Sequence, residues 1–314
     1  MVIVGPTAAG KTALAVALAA HLPLTVISAD ARQVYRGLDI GTAKPEPDVL
    51  RHVPHLGLDL IPVGERYSAG RFAAAAAGWI DEVRRTGLTP VVVGGTGFYI
   101  RALGDGLFQE PDLDPERREA LRDWTDGLET GALVRWAGRL DPRFAGGGRQ
   151  RAARAIEVAL LTGHPLSHWQ DVARETGAIR PWYIQLTLPR DVLHRRIAER
   201  VDRMLERGLV NEVRRVLATG VAPDAPGLDA VGYREVVAAE RGELSWEAVR
   251  ETIVIATRQY AKRQETWFRN QLSAISHQPS ANRSVPVWRL DATLPIDELA
   301  RLVLDRWRTV QADG

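Results

Sequence analysis

Residues Gly5-Pro6-Thr7-Ala8-Ala9-Gly10-Lys11-Thr12 fit the spacing G-x-x-x-x-G-K-[ST] at every fixed position. The spacing matters because each residue type has a physical task. The glycines let the backbone N–H groups turn inward around an anion. The following helix N-terminus adds partial positive charge, Lys11 adds a full one, and the Thr12 hydroxyl is placed to hold magnesium. The chemistry read from the loop is the binding of a polyphosphate. Whether that phosphate is transferred, hydrolysed or released is left open.

Such a loop works only between a buried strand and a helix. Val2-Ile3-Val4 before it reads as the strand, and Ala13 to Ala20 after it as an Ala/Leu-rich helix. Met1 to Val4 is shorter than the usual strand of about five or six residues, which suggests a start codon further upstream. Further strands are expected near 24–28, 55–60, 90–93 and 183–188, with an edge strand at 287–290. Ser68 to Arg85 carries Phe72, Ala76, Ile80 and Val83 at helical spacing, with Ser68 as its N-cap. Residues 31–54 and 273–286 read as loop. Long helical patterns run over 192–219 and 245–269. Strands alternating with helices predict an α/β fold, a parallel sheet flanked by helices, of the type found in P-loop NTPases. Ligands of such sheets bind beyond the carboxyl ends of the strands. The 5–12 loop, Asp30 and Thr96 all follow strand ends and should share one pocket. The stretch 114–177 shows only short amphipathic helices broken at glycines, and reads as a helical insertion domain. The core domain is then 1–113 with 178–314.

Composition excludes several classes. The chain has 314 residues, 45% hydrophobic and 25% charged, with net charge +2 and no cysteine. It lacks an apolar run long enough to span a bilayer and a signal-peptide pattern at its start, so a cytoplasmic, non-membrane protein is expected. Disulfides, thiol nucleophiles and Cys-containing zinc sites are ruled out. Lys11, Lys44 and Lys262 are the only lysines in an arginine-rich chain, which hints at sites where a compact ammonium is wanted.

A phosphate-loop ATPase usually ends a neighbouring apolar strand in an Asp that serves its magnesium. Here the strand at 90–93 runs into Gly94-Gly95-Thr96. That disfavours motor and switch NTPases. It leaves a small-molecule kinase, a transferase with diphosphate as leaving group, or an RNA-binding protein with a vestigial loop.

The stretch from Ile27 to Pro45, with Asp30-Ala31-Arg32-Gln33 near its start, is the most specific. Together with Gly94-Gly95-Thr96-Gly97-Phe98-Tyr99, Val231-Gly232-Tyr233-Arg234 and the segment from Thr257 to Trp267, it resembles the tRNA dimethylallyltransferase family, also called tRNA isopentenylpyrophosphate transferase. The resemblance runs in order from Gly5 to about Arg269. It implies transfer of a dimethylallyl group from its diphosphate to N6 of adenosine 37 of tRNA, with Mg2+, by a protein expected to be a monomer. It assigns Asp30 as general base, with Thr96 and Lys11 beside it in catalysis. It places diphosphate on Gly5 to Thr12 and on Arg196 or Arg200, with Thr12 on the metal. It places the tRNA anticodon stem-loop on Asp30, Ala31, Arg32, Gln33, Thr96, Arg118, Gln150, Arg151, Ala152, Ala153, Arg154, Val231, Gly232, Tyr233, Arg234, Lys262 and Arg263. Arg258 and Arg269 fall on the same helix side as Lys262. Relatives usually carry Ser after the Asp; Ala31 lacks that hydroxyl. Within the helix after residue 188, Arg196, Arg200, Arg203 and Arg207 form one basic face.

Overall fold

The computed structural model describes residues 1–106, 113–172, 177–276 and 287–312. They contain six strands, β1 (Val2–Val4), β2 (Leu24–Ser28), β3 (His55–Leu56), β4 (Thr89–Gly94), β5 (Tyr183–Thr187) and β6 (Val287–Asp291). The helices are α1 (Lys11–Ala19), α2 (Pro47–His52), α3 (Ala69–Arg85), α4 (Gly97–Asp105), α5 (Pro115–Asp126), α6 (Thr130–Leu140), α7 (Arg149–Thr162), α8 (Leu166–Val172), α9 (Arg190–Glu206), α10 (Leu209–Ala218), α11 (Tyr233–Glu240), α12 (Trp246–Ser276) and α13 (Ile296–Ala312). The chain divides into two compact units, one of 1–104 with 179–314 and one of 105–178.

In the first unit the sheet is parallel throughout, in the order β3-β2-β4-β1-β5-β6. Short as it is, β1 is paired on both sides, Ile3 with Val93 of β4 and with Ile184 of β5. Being covered on both faces, its residues are all apolar. The period-two alternation sorts the core into two layers. Val2, Val4, Ile27 and Val92 pack in one cluster with Phe72 and Ile80 of α3. Ile3, Val26, Val91, Val93 and Ile184 pack in the other with Leu14 and Leu18 of α1 and Val303 of α13. The chain leaves β1 towards β2 and later adds β5 and β6 on the opposite side. The strand order therefore turns at the carboxyl end of β1, the crevice position for ligands in open α/β sheets.

Ser68 caps α3 as its spacing predicts, its Oγ accepting from the Arg71 N–H at 3.1 Å. Several boundaries differ from the sequence expectation. Inside the stretch expected to be loop, Pro47 starts the short α2, with Asp48 in its first turn. The third strand stops at Leu56 because Gly57 (φ +85°) and Asp59 (φ +54°) turn left-handed, leaving Ile61 a single bridge to Tyr35. Gly208 (φ +94°) splits 192–219 into α9 and α10. The helix α12 continues through 273–276, expected as loop; 277–286 lie outside the described residues.

The second unit holds α5 to α8 around Leu133, Ala137, Ala152, Ala155 and Ile156, with no strand among its described residues. Residues 107–112 and 173–176, beside the expected domain boundaries, lie outside them. The carboxylate of Glu157 is buried there and is met by Arg118 at 2.7 Å, by Arg122 at 3.5 Å and by Arg154. A buried carboxylate needs such partners.

Candidate active site

Two clefts open beyond the carboxyl ends of the strands of the first unit. One, about 260 Å³, is lined by Thr7, Asp30, Arg32, Gly41, Thr42, Arg200, Val201, Met204, Asp229, Ala230, Val231, Arg234, Ile253, Thr257, Tyr260 and Arg263. The second, about 610 Å³, is lined by Ala8, Gly10, Lys11, Thr12, Ala13, Ile40, Ala43, Glu46, Arg196, Glu199, Arg200, Arg203, Met204 and Arg207. Arg200 and Met204, one turn apart on α9, belong to both walls.

The second cleft carries an excess of positive charge. The first-turn N–H groups of α1 have no partner within the helix; Lys11, Arg196, Arg200, Arg203 and Arg207 line the cleft with Glu46 and Glu199, Arg207 pairing with Glu46 at 2.6 Å. Gly10 (φ +90°) makes the left-handed entry to α1. Not every N–H of the loop is available, however. Pro6 has none, and that of Thr7 donates to Gln264 Oε1 at 2.8 Å. Ala9 is buried, with its N–H on the Pro6 carbonyl at 3.3 Å. That leaves Ala8 with Gly10 to Thr12 as the candidate cradle for an anion, while Gly5, Pro6 and Ala9 shape the loop behind it. Lys11 Nζ folds back onto the carbonyls of Gly5 (3.0 Å) and Pro6 (2.8 Å).

Burial pushes the Lys11 ammonium down to about 8, against the pull of Asp30 and with the push of Arg200. Burial likewise lowers Arg200, again opposed by Asp30. Below about pH 8 Lys11 is charged and attracts an anion; above it, the free protein loses that charge. The affinity for inorganic diphosphate should accordingly fall as pH rises through about 8, read by titration calorimetry. The fall should disappear in Lys11→Arg, whose cation does not titrate in this range.

Thr12 is an exposed hydroxyl at the cleft wall. Among the described residues no cluster of three His, Cys, Asp or Glu side chains could hold a metal by itself. The Thr12 hydroxyl is a donor that suits magnesium, which keeps several waters and takes oxygens from a substrate's phosphates.

In the first cleft, Asp30 follows β2. One carboxylate oxygen accepts the Arg32 N–H at 2.8 Å. Arg32 is anchored by the Pro226 carbonyl (2.9 Å) and lies 3.7 Å from Asp229. Thr96 Oγ1 accepts the Ala31 N–H at 2.9 Å, so Thr96 fixes the residue next to Asp30, and Ala31 is held by its backbone. Tyr260 lines the same cleft, and burial and the nearby Asp30 push its phenol up to about 12. The Tyr hydroxyl therefore stays protonated at neutral pH.

Of the other expected residues, Val231, Arg234 and Arg263 line the first cleft, and Arg196 the second, where it donates to the Ala292 carbonyl. Lys262 is exposed on the opposite side of α12, in a groove with Arg258 and Arg269. In the other unit, Gln150 and Arg151 are exposed at the start of α7, and Ala153 is half-buried. Three of the expected residues have side chains engaged within the protein. Tyr233 is fully buried, its hydroxyl donating to Glu212 Oε1 at 2.6 Å. Ala152 is fully buried in the core of its unit. Gln33 spends its side chain internally, accepting from Ser28 Oγ and donating to the carbonyls of Thr42 and Ala43. The Tyr233 and Ala152 side chains lie away from solvent, whereas Gln33 is half-buried. Gly232 (φ +99°) is buried as well and serves as the N-cap of α11.

Sequence reasoning missed the groups that hold the 39–44 loop between the clefts. Glu212 of α10, 2% exposed, accepts the N–H groups of Asp39, Ile40 and Gly41. A Cβ on Gly41 would fall 2.4 Å from the Tyr233 ring, so glycine is needed there. Lys44 Nζ is buried among Tyr35 O, Asp39 and Asp59, a site suited to a compact ammonium.

Residues 33–271 match the model of the family described as IPP transferase. The chain belongs to the IPP transferase family. It is 41% identical over 280 residues to a tRNA dimethylallyltransferase of Geobacter metallireducens, covering 88% of this chain and 91% of that protein. It is 43% identical over 280 residues to one of Bordetella petrii, covering 86% and 88%. Among solved structures, a tRNA isopentenylpyrophosphate transferase of Bacillus halodurans matches with TM-score 0.67 and 34% identity, over 98% of this chain and 96% of that one. Crystallographic snapshots of a eukaryotic dimethylallyltransferase acting on tRNA match with TM-score 0.76 and 25% identity, over 93% and 73%. The sheet order and phosphate loop of this IPP transferase thus belong to a tRNA prenyltransferase fold, a P-loop NTPase-like one.

Proposed function

We propose that this enzyme transfers a dimethylallyl group from dimethylallyl diphosphate to N6 of adenosine 37 of tRNA, giving N6-(dimethylallyl)adenosine and diphosphate. The observation that carries the reading is the meeting of the two clefts at Arg200, with a carboxylate in one and a phosphate cradle in the other. The adenine enters the first cleft and the diphosphate the second. The N6 nitrogen attacks the allylic carbon, the carbon–oxygen bond breaks, and its electron pair leaves with the diphosphate. Asp30 accepts the amine proton. Lys11, Arg200 and the loop N–H groups stabilise the charge that develops on the leaving group. Thr12, with diphosphate oxygens and waters, would hold Mg2+, which neutralises that same charge. Val201, Met204, Val231 and Ile253 offer the five-carbon chain an apolar wall.

The target base must leave its stack to reach Asp30. Phosphate contacts fix the RNA's register while unstacked loop bases carry the sequence. Exposed Arg151 and Lys262 are assigned to phosphates. Arg151→Ala and Lys262→Ala should each weaken tRNA binding and shallow its salt dependence by about one phosphate contact or less. Dimethylallyl diphosphate affinity should stay unchanged. Filter binding over a salt series reads both.

The enzyme is read as a cytoplasmic monomer. No helix among the described residues is long and apolar enough to cross a membrane. The kinase reading is separated by a label-transfer assay. With tRNA and magnesium, label from dimethylallyl diphosphate should enter the tRNA; terminal phosphate from ATP should enter neither tRNA nor a small molecule. The opposite outcome rejects the proposal.

A further inference from the structure

Gln264 is a polar side chain on the apolar face of α12, 6% exposed, between buried Ala261 and Phe268. Its amide bridges two loops. Oε1 accepts the Thr7 N–H of the phosphate loop at 2.8 Å, and Nε2 donates to the Gly95 carbonyl at 3.0 Å. The amide approaches Gly95 so closely that a Cβ there would lie 2.2 Å from Nε2. Gly97 is pressed against α12 in the same way, its absent Cβ 2.3 Å from the Trp267 ring. Thr96 thus sits between two glycines at which an added Cβ would clash with α12. Its hydroxyl in turn holds the Ala31 N–H beside Asp30.

We propose that Gln264 is a positioning residue, whose single amide sets the phosphate loop and the turn behind Asp30 in register across the active site. The inference rests on the function proposed above. Two consequences follow from the geometry. The Thr7 N–H is withheld from the anion, so the cradle starts at Ala8. The leaving-group cradle and the base loop cannot shift independently while the bridge holds, and a displacement of about 1 Å between reacting groups can cost roughly a hundredfold in rate. Only a group that donates and accepts at once satisfies both loops. An amide does so at any pH, an ionised carboxylate accepts only, and a neutral carboxyl again does both.

That difference gives the test. Gln264→Glu keeps the shape, and burial favours its neutral form. Transfer by Gln264→Glu is measured from pH 8.5 to 6 and divided, at each pH, by the rate of the parent. The ratio is expected to rise about tenfold or more as pH falls, while tRNA affinity stays constant. Gln264→Leu, which makes neither bond, should lower kcat by ~10- to 100-fold and raise KM for dimethylallyl diphosphate at all pH values. Circular dichroism at each pH confirms that the variants are folded; should Gln264→Leu unfold, the Gln264→Glu ratio decides alone. A ratio flat with pH and a KM equal to the parent's, even with a lowered melting temperature, would overturn the proposal and leave the amide a core contact. If the parent itself transfers nothing, the proposed function fails instead, and the two failures are told apart.

Discussion

Asp30→Asn is expected to slow single-turnover transfer by about 10²–10⁴. The adenine amine is a poor nucleophile because its lone pair is delocalised into the ring, and it turns acidic only as the new bond makes it cationic. A carboxylate at the carboxyl end of β2 can accept a hydrogen bond from the amine before reaction and its proton during it. The Arg32 N–H fixes one oxygen, and no second partner takes the other among the described residues. Asn keeps the shape and the Arg32 contact but loses the basicity. Affinities for tRNA and dimethylallyl diphosphate should therefore stay within about tenfold, or ~1.4 kcal/mol. Asp30→Ala should match Asp30→Asn in rate. Transfer by Asp30→Asn at near the parent rate would mean that Asp30 only orients the adenine and that water or diphosphate takes the proton.

Lys11→Ala should lower kcat/KM for dimethylallyl diphosphate by about 10²–10³, the cost of removing one preorganised charge-stabilising donor. In the free protein Lys11 is tied back to the Gly5 and Pro6 carbonyls, behind the cradle. On binding, it must exchange those carbonyls for diphosphate oxygens, in a site whose burial already lowers its pKa. The charge it contributes there is poorly screened, so its loss is felt strongly. Lys11→Arg keeps charge, but its planar fork needs more room than the compact ammonium and should rescue only partly. Transfer kinetics over a dimethylallyl diphosphate series, beside tRNA binding that stays unchanged, read the effect. A kcat/KM equal to the parent's would move the leaving group away from the loop.

The phosphate loop was legible because its function imposes fixed residue types at fixed spacing over eight consecutive positions. The parallel sheet was legible from its apolar runs, and the placement of Asp30 and Thr96 from their positions just past strand ends. What stayed hidden depends on contacts distant in sequence. Gln264 lies 257 residues from Thr7 and 169 from Gly95. Glu212 lies 171 to 173 residues from the loop amides it caps. A signal existed for Gln264, since a polar residue amid Ala261, Phe268 and Leu272 on one helix face is an informative exception. The burial of the Tyr233 and Ala152 side chains stayed hidden for the same reason: a motif marks a segment but not which of its side chains face the core. The boundaries at Gly57 and Gly208 turn on left-handed backbone that either glycine permits but does not demand.

The central claim is that the carboxylate cleft receives the adenine and the loop cleft the departing diphosphate. It is tested most directly by digesting tRNA to nucleosides after incubation with the protein, magnesium and dimethylallyl diphosphate, and analysing them by mass spectrometry with the anticodon loop mapped. The account predicts N6-(dimethylallyl)adenosine at position 37, one diphosphate released per modified tRNA, and no product from Asp30→Asn on the timescale of the parent. Unmodified adenosine at position 37, or a prenyl group on another atom or nucleoside, would contradict it.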